Sequence, residues 1–242
     1  AILPGLGHVV SGEARRGILA GAGVLGLFFG GILIGGVDVI DAREDTAWFA
    51  GQAFVGPLAF GINHIHQNNL KVIDPRTKRL RSANPTEGRD PASGLAVEGG
   101  TPPNRRSVGK MNEVGTLYAT IAGMLNLIVM IDAAMPSRRR VRSEATMHEM
   151  LHHQFSHAQA AMLTLAYRPF LDPIELHRLW FLLLIPLTVG IAMAYKAVRV
   201  PDMKDYPRQV LVMSVQIVLG MMALGLGAYL LVNVVLPLVA PK

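Results

Sequence analysis

The sequence predicts an all-α integral membrane protein of about five transmembrane helices with one amphipathic, interfacial helix besides. Two observations carry that reading. Hydrophobic residues make up 51% of the 242 positions and charged residues only 17%, against about 25% charged in an ordinary soluble domain. Apolar runs free of charge also recur along the chain, separated by polar connections.

A spanning helix needs about 20 mostly apolar residues. Residues 17–36 supply that length without a charge. Residues 46–62 are shorter and hold Gln52 and Pro57, yet are also uncharged. Residues 115–131 contain Asn126, 179–195 contain Pro186, and 209–236 are long enough to span with tilt. These five spans divide the chain into a glycine-rich two-helix membrane hairpin (1–66), a polar, partly flexible loop (67–113), a third transmembrane helix (114–136), a basic linker with an amphipathic His-bearing helix (137–170) and a C-terminal transmembrane hairpin (171–242).

The loop from 67 onward is rich in Pro, Gly, Asn, Ser and charge, with no sustained apolar period. It has little core of its own, and a soluble catalytic domain does not fit there. In "MHEMLHHQFSHAQAAMLTLAY", residues 147–167, Met147, Met150, Leu151, Phe155, Ala158, Met162 and Leu165 recur at three- and four-residue steps. They form one helical stripe, with four histidines on the remaining faces, so the helix is expected to lie in the membrane interface.

Lysine and arginine counts place the N-terminus on the cytoplasmic side and the C-terminus on the opposite side. Arg15, Arg16, the nine basic residues of the 71–110 loop, and Lys196, Arg199, Lys204 and Arg208 then lie inside, while the acidic "DVIDARED" (38–45) lies outside. Arg138, Arg139, Arg140 and Arg142 fall outside in this scheme and are expected to contact anionic lipid or a partner subunit. The net charge of +6 reflects basic residues that flank apolar runs without interleaved aromatics, which speaks against a nucleic-acid partner.

Chemistry is sparse. The chain has no cysteine, which removes disulfides, iron–sulfur clusters and thiolate-held zinc from consideration within it. No Asp, Glu, Lys or Arg lies inside the five spans, and such residues are the mark of ion-coupled transport. Gln52, Asn126, Ser214, Gln216 and Asn233 fit interhelical hydrogen bonds. No nucleophile–base pair or paired-carboxylate cleft is evident. Glu149, His153 and His157 stand at i, i+4, i+8 and share a helix face, the candidate metal set, with His148 and His152 a second pair at i, i+4 beside it. His64 and His66, two residues apart on a helix, point to different sides and read as interfacial polar residues. No cofactor is expected; bound lipid is.

Packing is more legible. Gly17 and Gly21, Gly26 and Gly30, and Gly31 and Gly35 are each spaced G-x-x-x-G round the first span, a pattern that lets helices approach closely. "PGLGHVVSGEARRG" (4–17) lacks the G-K-[ST] of a phosphate loop. It reads as a turn that starts the first span, with His8 at the interface and Arg15 and Arg16 pinning the cytoplasmic end.

That stretch, followed by two apolar segments, resembles the two-transmembrane-helix module of small bacterial membrane proteins. Gly5, Gly7, His8, Gly12, Arg16 and Gly17 carry the likeness over residues 3–66, while Val9 and Val10 stand where that family has aromatics. The remainder resembles uncharacterised bacterial multi-pass proteins with the same front module. The resemblance implies a bacterial integral membrane protein and supplies no catalytic residues. The function expected is therefore that of a non-catalytic accessory subunit, packing by its helices among other membrane subunits and lipids, as in a respiratory or other energy-converting assembly. The rival expectation is a membrane protein that binds a quinone, a lipid or a metal near the His-bearing helix.

Overall fold

The computed structural model describes residues 3–135, 168–174, 176, 178–200 and 203–235. Four helices among them are long and apolar enough to cross a membrane: Ala14–Gly35, Lys110–Ala134, Trp180–Arg199 and Tyr206–Asn233. The shortest of these, 20 residues, extends about 30 Å at ~1.5 Å per residue, the thickness of a hydrocarbon layer.

A short helix α1 (Leu6–Val10) precedes α2 (Ala14–Gly35). Gly5, at φ 78°, turns α1 back so that Pro4 and Gly5 lie against Gly17 and Gly21 of α2. His8 is therefore buried rather than interfacial: it is 2% exposed, and its Nε2 lies 2.9 Å from Asp132 Oδ2.

α2 packs antiparallel to α5 (Lys110–Ala134). A Cβ on Gly31 would stand 2.6 Å from the Gly115 carbonyl oxygen, and one on Gly115 2.8 Å from that of Gly31. The two backbones touch directly, and Phe28, Ile32, Tyr118, Ala119 and Ala122 pack around them as the buried core. α6 (Leu184–Arg199) lies on another side of α2, with Gly23 against Ala194. α7 (Tyr206–Leu230) returns along α6, held where the Tyr206 hydroxyl donates to the Met193 carbonyl.

The bundle thus has a first end, where α2 begins and α5 and α6 finish, and a second end with the opposite termini. Met135 closes α5 at the first end. Arg168 lies at the second, beside Asp172, whose neighbourhood bonds to Arg105 and, through Ile174, to the Ile34 carbonyl.

The expected second span, residues 46–62, is not one helix. α3 (Thr46–Gln52) passes through a 3-10 turn (Ala53–Val55) into Gly56, at φ 96°, and α4 (Pro57–Ile65) departs in a new direction. Gly56 adopts a conformation other residues rarely take, and Pro57 offers no N–H to continue the preceding helix. α4 has nine residues, about 13 Å of rise, too short to cross. It comes back to the second end, where Thr46 bonds the Ala42 carbonyl and Asn63 accepts from Ala42 N–H. Residues 46–65 are therefore a hairpin that dips into the bundle and returns.

One consequence corrects the expected topology. The acidic connection 37–45 and the polar segment 67–109, expected on opposite sides, meet at the same end: Lys71 pairs with Asp41 and Glu44, and Ser107 N–H donates to Asp38.

The polar segment is also more ordered than its composition indicates. β1 (Val72–Ile73) pairs with β2 (Leu80–Arg81), and β3 (Glu87–Arg89) with β4 (Ala96–Glu98), both antiparallel. The turn of each is built on an Asp-Pro pair. Asp74 caps Arg76 and Thr77 N–H, and Asp90 caps Ala92 and Ser93 N–H, the hydrogen-bonded turn that aspartate favours. Arg81 ties the hairpins together by pairing with Asp74 and, through both nitrogens, with Glu87.

Candidate functional site

Polar chemistry gathers at the second end, at the mouth of the α3–α4 hairpin. The connection after α2 brings Asp38, Asp41, Glu44 and Asp45 within eight residues, a concentration of negative charge that needs a counter-charge. Lys71 supplies it from the segment that leaves α4. Its side chain is 1% exposed and its Nζ contacts Asp41 Oδ2 and, at 2.6 Å, Glu44 Oε1.

Asp41 is the hub. Its Oδ1 accepts from Arg43 N–H, Glu44 N–H and Gln67 Nε2 at 2.8–3.0 Å. Burial pushes the Asp41 carboxyl up, but the Lys71 ammonium and the two backbone donors outweigh it and hold the group below its ordinary value. At Asp45 burial and the neighbouring Asp41, Glu44 and Asp38 carboxylates outweigh the pull of Lys71 and push the group up.

His66 stands beside this hub. It is fully buried, with Nδ1 3.1 Å from the Ile40 carbonyl and Nε2 3.3 Å from Asp38 Oδ1. The second contact is within ion-pair range but is not aligned as a hydrogen bond. The expectation that His66 is an interfacial polar residue is thereby corrected. His64, the other member of the pair, faces outward onto Asn68.

Below the mouth, two lone amides seat the hairpin, one at its break and one on the turn that follows α2. Asn126 of α5 donates 2.7 Å to the Phe54 carbonyl, and Gln52 donates 2.9 Å to the Val39 carbonyl. A broken helix exposes carbonyls without an internal partner, and in an apolar surround each must find a donor. Closeness completes the seat: a Cβ on Gly51 would stand 2.6 Å from Thr120 of α5. The cluster is a latch. It contains no nucleophile poised by a base, and its charged groups are committed to each other.

Outside the latch lies an open cavity of about 610 Å³ at the surface of the hairpin insert. Arg43, Lys78, Arg79 and Arg89 line it together with Gln67 and Asn68, and no carboxylate does. Arg89 is fixed there by donating to the Lys71 and Asn68 carbonyls at 3.0 and 2.6 Å.

Glu149, His153 and His157, and Arg138, Arg139, Arg140 and Arg142, lie outside the described residues. Among the described residues no group of three or more His, Asp or Glu is arranged to hold a metal ion. Of the six glycines singled out in the first span, Gly17, Gly21, Gly31 and Gly35 abut backbone atoms, Gly30 meets the Tyr118 ring at ordinary distance, and Gly26 faces open space. The latch residues Asp38, Asp41 and Lys71 were not signalled by sequence, because no local spacing links them; Gln52 and Asn126 were signalled as polar interruptions of apolar runs.

No curated protein and no solved structure matches the chain. The model of a family of unknown function (DUF6677) matches residues 2–145, more than half of the 242 residues and the whole of the bundle from α1 to α5 with the latch and its cavity, and the chain belongs to that family.

Proposed function

We propose that the chain is a non-catalytic, multi-pass subunit of the bacterial cytoplasmic membrane that assembles with other membrane subunits through α7. The observation behind this reading is the contrast between α7 and its neighbours. In Ala14–Gly35 and Lys110–Ala134, 56% of the most apolar window is buried within the chain; in Tyr206–Asn233 the share is 11%. α2 and α5 spend their glycines on close backbone contacts, whereas Gly220, Gly225 and Gly227 of α7 meet nothing within 4 Å among the described residues. Leu219, Met222 and Leu226 stand exposed beside them. Glycine in a helix carries a conformational cost, and helix association in lipid draws on small-residue faces.

The orientation that goes with this reading puts the N-terminus in the cytoplasm. Arg15, Arg16, Lys196, Arg199, Lys204 and Arg208 lie in short connections at the first end, while the nine basic residues of 71–110 lie at the second, so this orientation rests on the short connections and not on the total Lys and Arg count. The latch, the β-hairpins and the C-terminus are then periplasmic.

The test is mass analysis of the protein extracted in mild detergent, with Gly225→Ile alongside. The expected result is a complex heavier than the 26.1 kDa chain that loses its partner in the variant. A wild-type monomer without a partner overturns the reading. The rival, a ligand site at Glu149, His153 and His157, is tested by metal analysis. Stoichiometric metal that disappears in His153→Ala and His157→Ala would favour it.

A further inference from the structure

The cavity beside the latch has the make-up of a receptor for a phosphate group. Its cations come from three separate parts of the chain: Arg43 from the connection after α2, Lys78 and Arg79 from the β1–β2 turn, and Arg89 from β3. Two other basic side chains of this insert are held in close ion pairs, Lys71 with Asp41 and Glu44 and Arg81 with Asp74 and Glu87. The side chains of Arg43, Lys78 and Arg79 make no hydrogen bond or ion pair among the described residues. Like charges gathered without a counter-charge repel each other, and an anion held between them removes that cost.

Two details favour a built site over a chance patch. Arg89, anchored by two carbonyls, presents a guanidinium already fixed in place, the planar fork that suits a phosphate. The two Asp-Pro turns are structural twins, with Lys78 N–H bonded to the Asp74 carbonyl as Gly94 N–H is to that of Asp90. At the left-handed position one turn has Gly94 (φ 71°), the other Lys78 (φ 57°). Glycine fits that conformation and lysine pays for it, so the lysine is present for its side chain and not for the turn.

We propose that this cavity binds a phosphate-bearing ligand, either the headgroup of an anionic phospholipid or a soluble phosphate ester. Arg89 is the fixed contact, and Arg43, Lys78 and Arg79 supply the further charges. The volume exceeds what inorganic phosphate needs, and Ile73 and Leu80 give the ligand's carbon part an apolar wall. The site stands apart from the α7 face and does not depend on it.

The test uses the full chain in neutral detergent, titrated with short-chain phosphatidylglycerol, with pyrophosphate, and with phosphatidylcholine of the same chain length, read by binding isotherm and by shift in Tm. Saturable binding of phosphatidylglycerol but not pyrophosphate assigns a lipid headgroup, the converse assigns a soluble ester, and both together assign the phosphate group itself. Arg43→Gln and Arg79→Gln each weaken binding about tenfold, the loss of one charge-assisted contact. Lys78→Gly does the same while leaving the ligand-free Tm unchanged or higher, which separates lost binding from lost folding. Absence of saturable binding of either probe by about 1 mM, a Kd worth only ~4 kcal/mol, overturns the proposal. So does equal binding of phosphatidylcholine and phosphatidylglycerol, or wild-type affinity when Arg43→Gln, Lys78→Gly and Arg79→Gln are combined.

Discussion

Lys71 carries a charge into a place where its side chain is 1% exposed, and only the carboxylates of Asp41 and Glu44 make that tolerable. Removing one partner of a buried pair leaves the other charged and uncompensated. Lys71→Met is therefore expected to destabilise the protein by about 3–5 kcal/mol, and Lys71→Met with Asp41→Leu to recover much of the loss; denaturant unfolding in detergent measures both. The latch also sets a pH limit. The Asp41 carboxyl is held below its ordinary 3.8 in the folded chain, so the unfolded chain binds its proton more readily. Its contribution is complete above pH 3.8 and is lost as the pH falls below it. Glu87 behaves alike: the Arg81 guanidinium, then Asn84 N–H, hold it at about 2 against an ordinary 4.5. Protease sensitivity of the β-hairpins is expected to stay flat down to about pH 4.5 and to rise between there and pH 2.

Among the elements, the glycines sort by what they touch. Gly31→Leu would drive a side chain into the Gly115 carbonyl and Ala119 N–H, and is expected to cost about 3 kcal/mol through overpacking. Gly26 meets nothing, so Gly26→Ala is expected to be neutral or to stabilise by about 0.5–1 kcal/mol. Asn126→Leu would leave the Phe54 carbonyl unpaired, at about 1–3 kcal/mol. Thermal unfolding of the three variants checks the order. The runs at 17–36, 115–131, 179–195 and 209–236 were legible because a long charge-free run can satisfy its backbone only as helix. The run at 46–62 was just as apolar, and hydrophobicity cannot report that Gly56 and Pro57 reverse the chain. The β-hairpins were hidden for another reason: strands of two or three residues are too short to show an alternation. The latch was hidden because Asp41 and Lys71 are 30 positions apart.

Across the whole molecule, the dipping hairpin brings the 37–45 connection and the 67–109 segment to one end, which under the proposed membrane reading is one side. Single cysteines at Glu44, Arg89 and Arg106 are expected to react with an impermeant thiol reagent from one side, and cysteines at Arg199 and Lys204 from the other. Met135 and Arg168 are expected to fall on opposite sides. Labelling of Glu44 and Arg89 from different sides would restore a crossing at 46–62. The family match ends at residue 145, so α1–α5 with the latch form the part shared by the family, while α6 and α7 lie beyond it.

The bond that holds the tip of the hairpin, from Asn126 to the Phe54 carbonyl, joins residues 72 positions apart. A ribosome adding about 5–20 residues per second makes Phe54 some 4–14 s before its donor exists. The seat against Gly123 and Thr120 arrives in the same late instalment. The hairpin must wait for that interval with its break unsatisfied, and it settles only when α5 emerges. Biosynthesis therefore orders this region in reverse: the third long apolar run of the sequence takes its place second, and the second run takes its place against it.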